Sequence, residues 1–348
     1  MHDEPPTTGA RRARIADVAR AAGVSATTVS HALSNSGRVS EQTRERILRA
    51  AEDLGYRPSP RATALRSGRS RTIAVASSMS AAVAGGAARQ GFYLEVAAAA
   101  AERAFDYGYA LVLVPPIPDE LIETLGHLSV DGLLVVEPAQ DDPIVRLARR
   151  DGVPFVSIGS FPGATDAEEQ IDLQSDTAAE LVIDHLVRAG VRRPALIVGD
   201  RPRTSYAAIE HAYRRAADDH GWPPVVERIF EADGEDGGRQ AATRLLTADP
   251  QTDAIIAWVD AFAVGAVQAA TALGRTPPAV RIVTRFDGPR ARASEPAVTA
   301  VRLHLPEAAT AGVDELLRLL GATTQPRAPI PRPELVFRAS SPDHQQQA

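Results

Sequence analysis

The 348-residue chain carries 38 basic side chains against 44 acidic ones, and all 38 are arginine. Without lysine there is no P-loop amine for nucleotide phosphates and no Schiff-base chemistry; without cysteine there is no disulfide, thiol nucleophile, Cys-ligated zinc or iron–sulfur cluster. The composition, 44% hydrophobic and 24% charged with no apolar run of 18, is that of a soluble globular protein of about two domains, and the acids and prolines of MHDEPPTTGARRAR do not form a signal-peptide core, so a cytoplasmic setting and no membrane partner are expected.

Charge divides the chain. Residues 1–70 hold 12 Arg against seven acids, a net of +5, so the remainder stands at −11. A small basic head ahead of an acidic body suggests that the head meets a polyanion, of which nucleic acid is the commonest.

Within the head, Ile15, Val18, Ala19 and Ala22 define one face of a short helix that Gly23 ends. Ser25 is a good N-cap for a second helix running to about Leu33, with Val24, Val29 and Leu33 inward. Small residues at the crossing, Gly in the turn and a branched apolar beneath make a helix-turn-helix signature. Ser40 caps a third helix whose predicted stripe is Ile47, Leu48, Ala51 and Leu54. Further on, Ser59 and Pro60 suit the start of a helix to Arg66 that is marginal in isolation.

Beyond Arg71 the pattern alternates. Strands are predicted at TIAVAS from Thr72, ALVLV from Ala110, GLLVV from Gly132, PFVSI from Pro154, PALIV from Pro194, AIIAW from Ala254 and RIVTR from Arg281. Helices are predicted near 92–107, 119–128, 143–150, 176–189, 205–220, 237–248, 260–273 and 306–320. Short apolar strands separated by helices imply βαβ units and buried parallel sheets, with ligands beyond the carboxyl ends of the strands. The eight His show no HExxH or paired ligand spacing, so no enzyme, metal or cofactor is expected.

The run RIADVARAAGVSATTVSHALSNSGRVSEQTRERILRAAEDLGYRP resembles the DNA-binding headpiece of the LacI/GalR family of bacterial transcriptional regulators, and VDGLLVVEP, DHLVRAGVRRPALIVGD, VDAFAVGAVQAA, RFDG and PAVTAVRLHLPE follow in family order. The resemblance implies a small all-α helix-turn-helix headpiece plus hinge helix, then a two-lobed α/β periplasmic-binding-protein-like domain with parallel sheets. The implied divisions are a flexible arm at 1–14, the DNA-binding domain at 15–57, hinge helix and linker at 58–70, an effector-binding and dimerisation domain at 71–340, and a disordered tail at 341–348. The chain is expected to cross between lobes near 160, 290 and 322.

By the same resemblance the second helix lies in the major groove, with Ala26, Thr27 and His31 at base-reading positions and Ser25, Thr28, Ser30, Ser40 and Thr43 placed for phosphates. His31 stands where the family most often has Arg, and Ala26 can offer only methyl contact. Leu65 matches the hinge leucine that wedges into the minor groove, and Ala62 the small residue that permits close approach. Asp287 matches a pocket aspartate. Asp260 follows a position where many members carry Asn and this chain has Val259, and Ile209 stands where the family has a pocket Arg, which argues against inheriting a sugar specificity by analogy. Phe92, Tyr93, Phe161 and Tyr206 either wall an effector pocket or are plain core, and Ser77 to Gly91, rich in Ala, Gly and Ser, is either a lid or a pocket lip. The expected partners are a double-stranded DNA operator, a small-molecule effector such as a sugar or related metabolite, and a second copy in a homodimer. The rival reading is an effector-independent DNA binder whose body only dimerises.

Overall fold

The computed structural model describes residues 13–33, 39–56, 69–84, 91–116, 119–164 and 170–343. The arm 1–12, the hinge residues 57–68 with Ala62 and Leu65, and positions 344–348 of the tail lie outside them. The chain divides into two compact units, Met1–Ser70 and Arg71–Ala348.

In the first unit α1 (Ile15–Ala22), α2 (Ala26–Leu33) and α3 (Glu41–Asp53) close on Val18, Val29 and Ile47, none of which is exposed. Gly23, at φ 65°, sits in the left-handed region that ends α1 and opens the turn. Ser40 Oγ caps α3 by accepting from the Thr43 amide at 3.3 Å, and Ser25 Oγ accepts the Thr28 amide at 3.1 Å. The expected stripe of α3 needs correction. Ile47 and Ala51 are buried with Ala50, while Leu48 and Leu54 are 49% and 41% exposed. A three-helix head covers only one narrow face of its third helix, and Leu48 lies one helical step, about 100°, from Ile47.

The second unit contains two sheets. In the N lobe the order is β2 (Ala110–Leu113), β1 (Thr72–Ala76), β3 (Gly132–Val136), β4 (Phe155–Ile158), β5 (Gln170–Ile171), parallel throughout. In the C lobe it is β11 (Glu334–Val336), β10 (Thr299–Arg302), β9 (Arg281–Thr284), β8 (Ala254–Ala257), β6 (Pro194–Gly199), β7 (Val226–Ile229), with only the β10–β11 pair antiparallel. Residues alternate between faces. Ile73, Val75, Leu134 and Val136 pack with α5 (Phe92–Asp106) and α12 (Leu305–Leu319), whereas Ala74, Ala76, Leu133 and Val135 pack toward α6 (Pro143–Asp151). The C-lobe sheet lies between α7 (Ser175–Arg188) with α8 (Thr204–His220) and α9 (Gly234–Ala248) with α10 (Asp260–Ala272). α9 and α10 cross so closely that a Cβ at Gly265 would lie 2.1 Å from the Glu235 carbonyl oxygen. Among the described residues the remaining α-helices of this unit are the single turn α4 (Ala81–Ala84) and α11 (Pro289–Ala293).

Two crossings fall later than expected. After 160 the chain still adds β5 beside β4, and α7 is the first element on the C lobe, so the first crossing is at 172–174. After 290 it still adds β10 beside β9, and α12 packs on α5, so the second is at Leu303–His304. Both misplacements come from strands without an apolar run, since β5 is only Gln170–Ile171 and β10, TAVR, mixes small, polar and charged residues. Disorder expected from 341 does not hold for Ser341, which is ordered and packed. Ser340 and Ser341 are fully buried, and Ser341 Oγ lies 2.7 Å from Nε2 of buried His185.

Candidate effector cleft and nucleic-acid interface

On α2, Val29 and Ala32 point into the head core, which leaves Ala26, Thr27 and His31 on the exposed side of the helix. A helix that buries one face must offer the other, and the side offered holds all three expected base-reading residues. Ser25 is exposed, and Thr28 and Ser30 are half-buried beside them. Ser25 and Thr28 hydroxyls lie 2.8 Å apart, as do those of exposed Ser40 and half-buried Thr43. Both hydroxyl pairs therefore sit at helix N-termini, where backbone amides also favour an anion.

In the body, the carboxyl ends of β3, β6, β7, β8 and β9 meet between the lobes. Glu137, just past β3, contributes from the N lobe. Its Oε1 accepts from Arg285 Nη2 at 2.9 Å, its Oε2 from Ser205 Oγ at 2.9 Å, and its carbonyl oxygen from Arg203 Nη1. Arg203 also grips Glu231 bidentately, Nε at 2.9 Å and Nη2 at 3.0 Å, and Tyr206 donates its hydroxyl to the same carboxylate at 2.9 Å. A backbone bond from the Gln140 amide to the Pro202 carbonyl, 2.8 Å, ties the lobes beside this network. α4 reaches from the N lobe to the turn at Glu231–Asp233, where a Cβ at Gly234 would lie 3.0 Å from that of Ala82.

Two cavities lie along the cleft, and Phe286, edge-on to Phe92 at 5.3 Å, lines both. The smaller, about 40 Å³, is walled by Met79, Val83, Phe92, Tyr206, Trp258 and Phe286, with Glu137, Arg203, Asp260 and Arg285 as its polar members. Among its lining residues, Trp258 Nε1, Asp260 Oδ2 and Arg285 Nε are buried without a hydrogen-bond partner. Burial pushes the Asp260 carboxyl up to about 6, although the Arg290 guanidinium opposes the shift. The larger cavity, about 190 Å³, is lined by Glu95, Asp287, Arg292, Arg302, His304 and Glu307 among others. Burial also raises the Glu95 carboxyl above its ordinary value.

The expected pocket residues separate accordingly. Phe92, Tyr206 and Asp260 line the smaller cavity and Asp287 the larger, where Arg338 at 2.6 Å and Arg292 at 3.3 Å already hold it. Phe161 lines neither of these cavities. It packs against Phe155 in the N-lobe core, on the sheet face that carries α6. Tyr93 is likewise buried in the core, donating to the Val75 carbonyl at 2.7 Å, and Ile209 is fully buried. Of the segment Ser77 to Gly91, residues 85–90 lie outside the described part. Sequence reasoning missed Glu137, Arg203, Glu231, Trp258 and Arg285. The available signal was a charged or large polar-tipped residue directly after an apolar strand, as in GLLVVE, AIIAW and RIVTR, because that is where an α/β sheet presents its ligand. Among the described residues no group of three or more His, Asp or Glu side chains is placed to hold a metal ion, and no helix is long and apolar enough to cross a membrane.

A helix-turn-helix head joined to a two-lobed α/β body with a cleft between parallel sheets defines a ligand-responsive class of DNA-binding regulator by its architecture. Residues 14–59 match the model of bacterial regulatory proteins of the lacI family, and residues 183–341 match that of a periplasmic binding protein-like domain. The chain is 31% identical over 340 residues to the HTH-type transcriptional regulator CelR of Thermobifida fusca, covering 95% of this chain and 98% of that one. It is 29% identical over 342 residues to the HTH-type transcriptional repressor PurR of Glaesserella parasuis, covering 94% and 98%. Among solved structures it resembles a complex of the regulator CelR with cellobiose at 26% identity, with a TM-score of 0.67 over 94% of this chain and all of the other. It shares its fold with the lac repressor dimer bound to operator, with a TM-score of 0.74 at 23% identity over 95% of this chain and all of the other. The chain belongs to the LacI family of DNA-binding transcriptional regulators.

Proposed function

We propose that the chain is a cytoplasmic homodimeric repressor that reads a pseudo-palindromic operator through α2 and whose affinity for it is set by a small molecule in the interlobe cleft. The observation that carries the DNA half is the division of α2, with Val29 and Ala32 inward and Ala26, Thr27 and His31 outward. Two copies docked in successive major grooves read the two half-sites. Ser25, Thr28, Ser30, Ser40 and Thr43 set the register on phosphates, and Ala62 and Leu65, in the hinge outside the described residues, act in the minor groove at the dyad. The effector half rests on three unpartnered buried polar atoms on residues that line one interlobe cavity, since such atoms in a native fold call for a partner. Closure around a ligand shifts the lobe positions and so the hinge spacing, a coupling of roughly 1–3 kcal/mol. The solved complex of CelR with cellobiose suggests a sugar or a related metabolite as the effector, and the naming of relatives as regulators and repressors supports regulation rather than catalysis.

The test is selection of operator sequences from a random duplex pool, followed by affinity measurement with and without candidate effectors. Enrichment of a two-fold symmetric site whose affinity changes with a ligand supports the reading; no enriched site removes it. A second reading, effector-independent binding, is favoured by one observation. The cleft is already bridged by the chain's own Arg285–Glu137 ion pair and leaves only about 40 Å³ beside it.

A further inference from the structure

Around the cleft the acids of the C lobe have arginine partners inside that lobe. Glu231 has Arg203, Asp260 has Arg290 at 3.6 Å, and Asp287 has Arg338 at 2.6 Å. Arg285 differs, because among the described residues its carboxylate partner is Glu137 of the N lobe. A guanidinium does not give up its charge in a protein, and a buried one without a counter-ion is strongly unfavourable. Any opening that carries Glu137 away with its lobe, and with it the Phe92 ring whose centre now lies 5.7 Å from the guanidinium, therefore leaves a bare cation in the C-lobe wall.

The unpartnered atoms lie on this same cation and its neighbours. Arg285 Nε and Trp258 Nε1 are donors without acceptors, and Asp260 Oδ2 is without a partner in the same cavity. Together with Arg285 Nη2, which Glu137 now holds, the two donors form a set that suits an oxyanion, while Asp260 suits a hydroxyl. Since one water needs about 10–15 Å³ of such a cavity, the cavity of about 40 Å³ holds roughly three waters and has no room for a metabolite while Glu137 stays in place.

Building on the effector reading above, we propose that the cleft takes a small hydroxylated metabolite bearing an oxyanion, a carboxylate or a phosphate, which replaces the Glu137 carboxylate on Arg285. Glu137 is then a built-in competitor. An entering anion meets like charge until the N lobe yields, so binding at Arg285 and movement between the lobes are one event, and a neutral sugar lacks the group that drives it.

The test removes the competitor in the full chain with Glu137→Ala and follows thermal unfolding at constant ionic strength, with acetate and inorganic phosphate as probes and chloride as control. The expected result is a saturable rise in Tm for Glu137→Ala, with the oxyanion bound about tenfold or more tighter than by wild type because no closed form competes. The rise should be absent in Glu137→Ala/Arg285→Met. An equal response to chloride, an equal rise in the double variant, or no rise in Glu137→Ala overturns the proposal. If Glu137→Ala does not fold, Glu137→Gln supports the same comparison, because it keeps the shape and removes the charge. On wild type, gluconate and glucose phosphate separate the carboxylate from the phosphate source, with glucose and cellobiose as neutral counterparts. Stabilisation by a neutral sugar and by none of the anions sinks the oxyanion while leaving the effector reading intact. Oxyanion binding that leaves operator affinity unchanged does the reverse.

Discussion

Arg203 and Glu231 face each other bidentately, Nε to Oε1 at 2.9 Å and Nη2 to Oε2 at 3.0 Å, with both side chains almost wholly buried. Arg203 also donates to the Glu137 carbonyl of the opposite lobe, so one guanidinium organises the C-lobe wall of the cleft and touches the N lobe. Such a pair adds little net stability over an apolar one, but losing one partner strands the other charge.

Arg203→Met is therefore expected to cost about 3–5 kcal/mol in denaturant unfolding of the body, with Arg203→Met/Glu231→Leu recovering much of it. A single variant as stable as wild type would show that the pair is not isolated from water.

The head should lose stability through its caps. Ser40→Ala removes the acceptor of the Thr43 amide and should cost about 1 kcal/mol in the unfolding of the head, while Ser40→Asp should cost far less. Equal losses in the two variants would assign the effect to the Ser40–Thr43 hydroxyl pair instead.

His31→Arg tests the docking register. A guanidinium can bind guanine bidentately where an imidazole cannot, so sequence selection should shift toward G at one symmetry-related position, by about 1–3 kcal/mol of discrimination. An unchanged profile would move His31 off the bases. Because the head carries the positive charge, operator affinity should also fall steeply as salt rises, and a flat response would contradict phosphate contact.

Two buried groups set opposite pH dependences. Burial lowers the His185 imidazole from 6.5 to about 4, with Arg281 and Arg188 adding to the effect, so the fold prefers it neutral. Its contribution is complete above 6.5 and is lost as pH falls through 4, amounting to about 3 kcal/mol at most. Asp260 is raised from 3.8 to about 6, so its contribution is complete below 3.8 and is lost as pH rises through 6. His185→Gln should flatten the acid side of the stability profile, and Asp260→Asn should remove the decline toward neutrality. Profiles identical to wild type would place the titration elsewhere.

Much of the fold was legible from pattern. The bounds of α1 follow from an apolar face and one glycine, and those of α5, α6, α8, α10 and α12 came within a residue or two of expectation, because a helix of nine or more residues repeats its apolar period often enough to be read. Asp119–His127, expected as a helix, is a 3₁₀ helix. Strands β5, β7, β10 and β11 escaped because QI, VERI, TAVR and ELV are too short or too mixed to form an apolar run, whereas β2, β4 and β8, also of four residues, stand in largely apolar runs.

The cleft was legible only in part. Asp260 and Tyr206 reached one cavity and Asp287 another, but Phe161 went into the N-lobe core, since an aromatic after a strand reads the same whether it turns to the cleft or to the helix layer.

The all-arginine charge, the recognition helix and the alternation of strand and helix are local properties, settled by neighbours within a few turns of chain. Those the sequence determined by itself. That Glu137, Arg203 and Arg285, separated by 66 and 148 residues from the first, share one buried site was decided only by the tertiary structure. The physical reason is that an ion pair between two lobes depends on how two sheets face each other, and no segment of the chain contains that information.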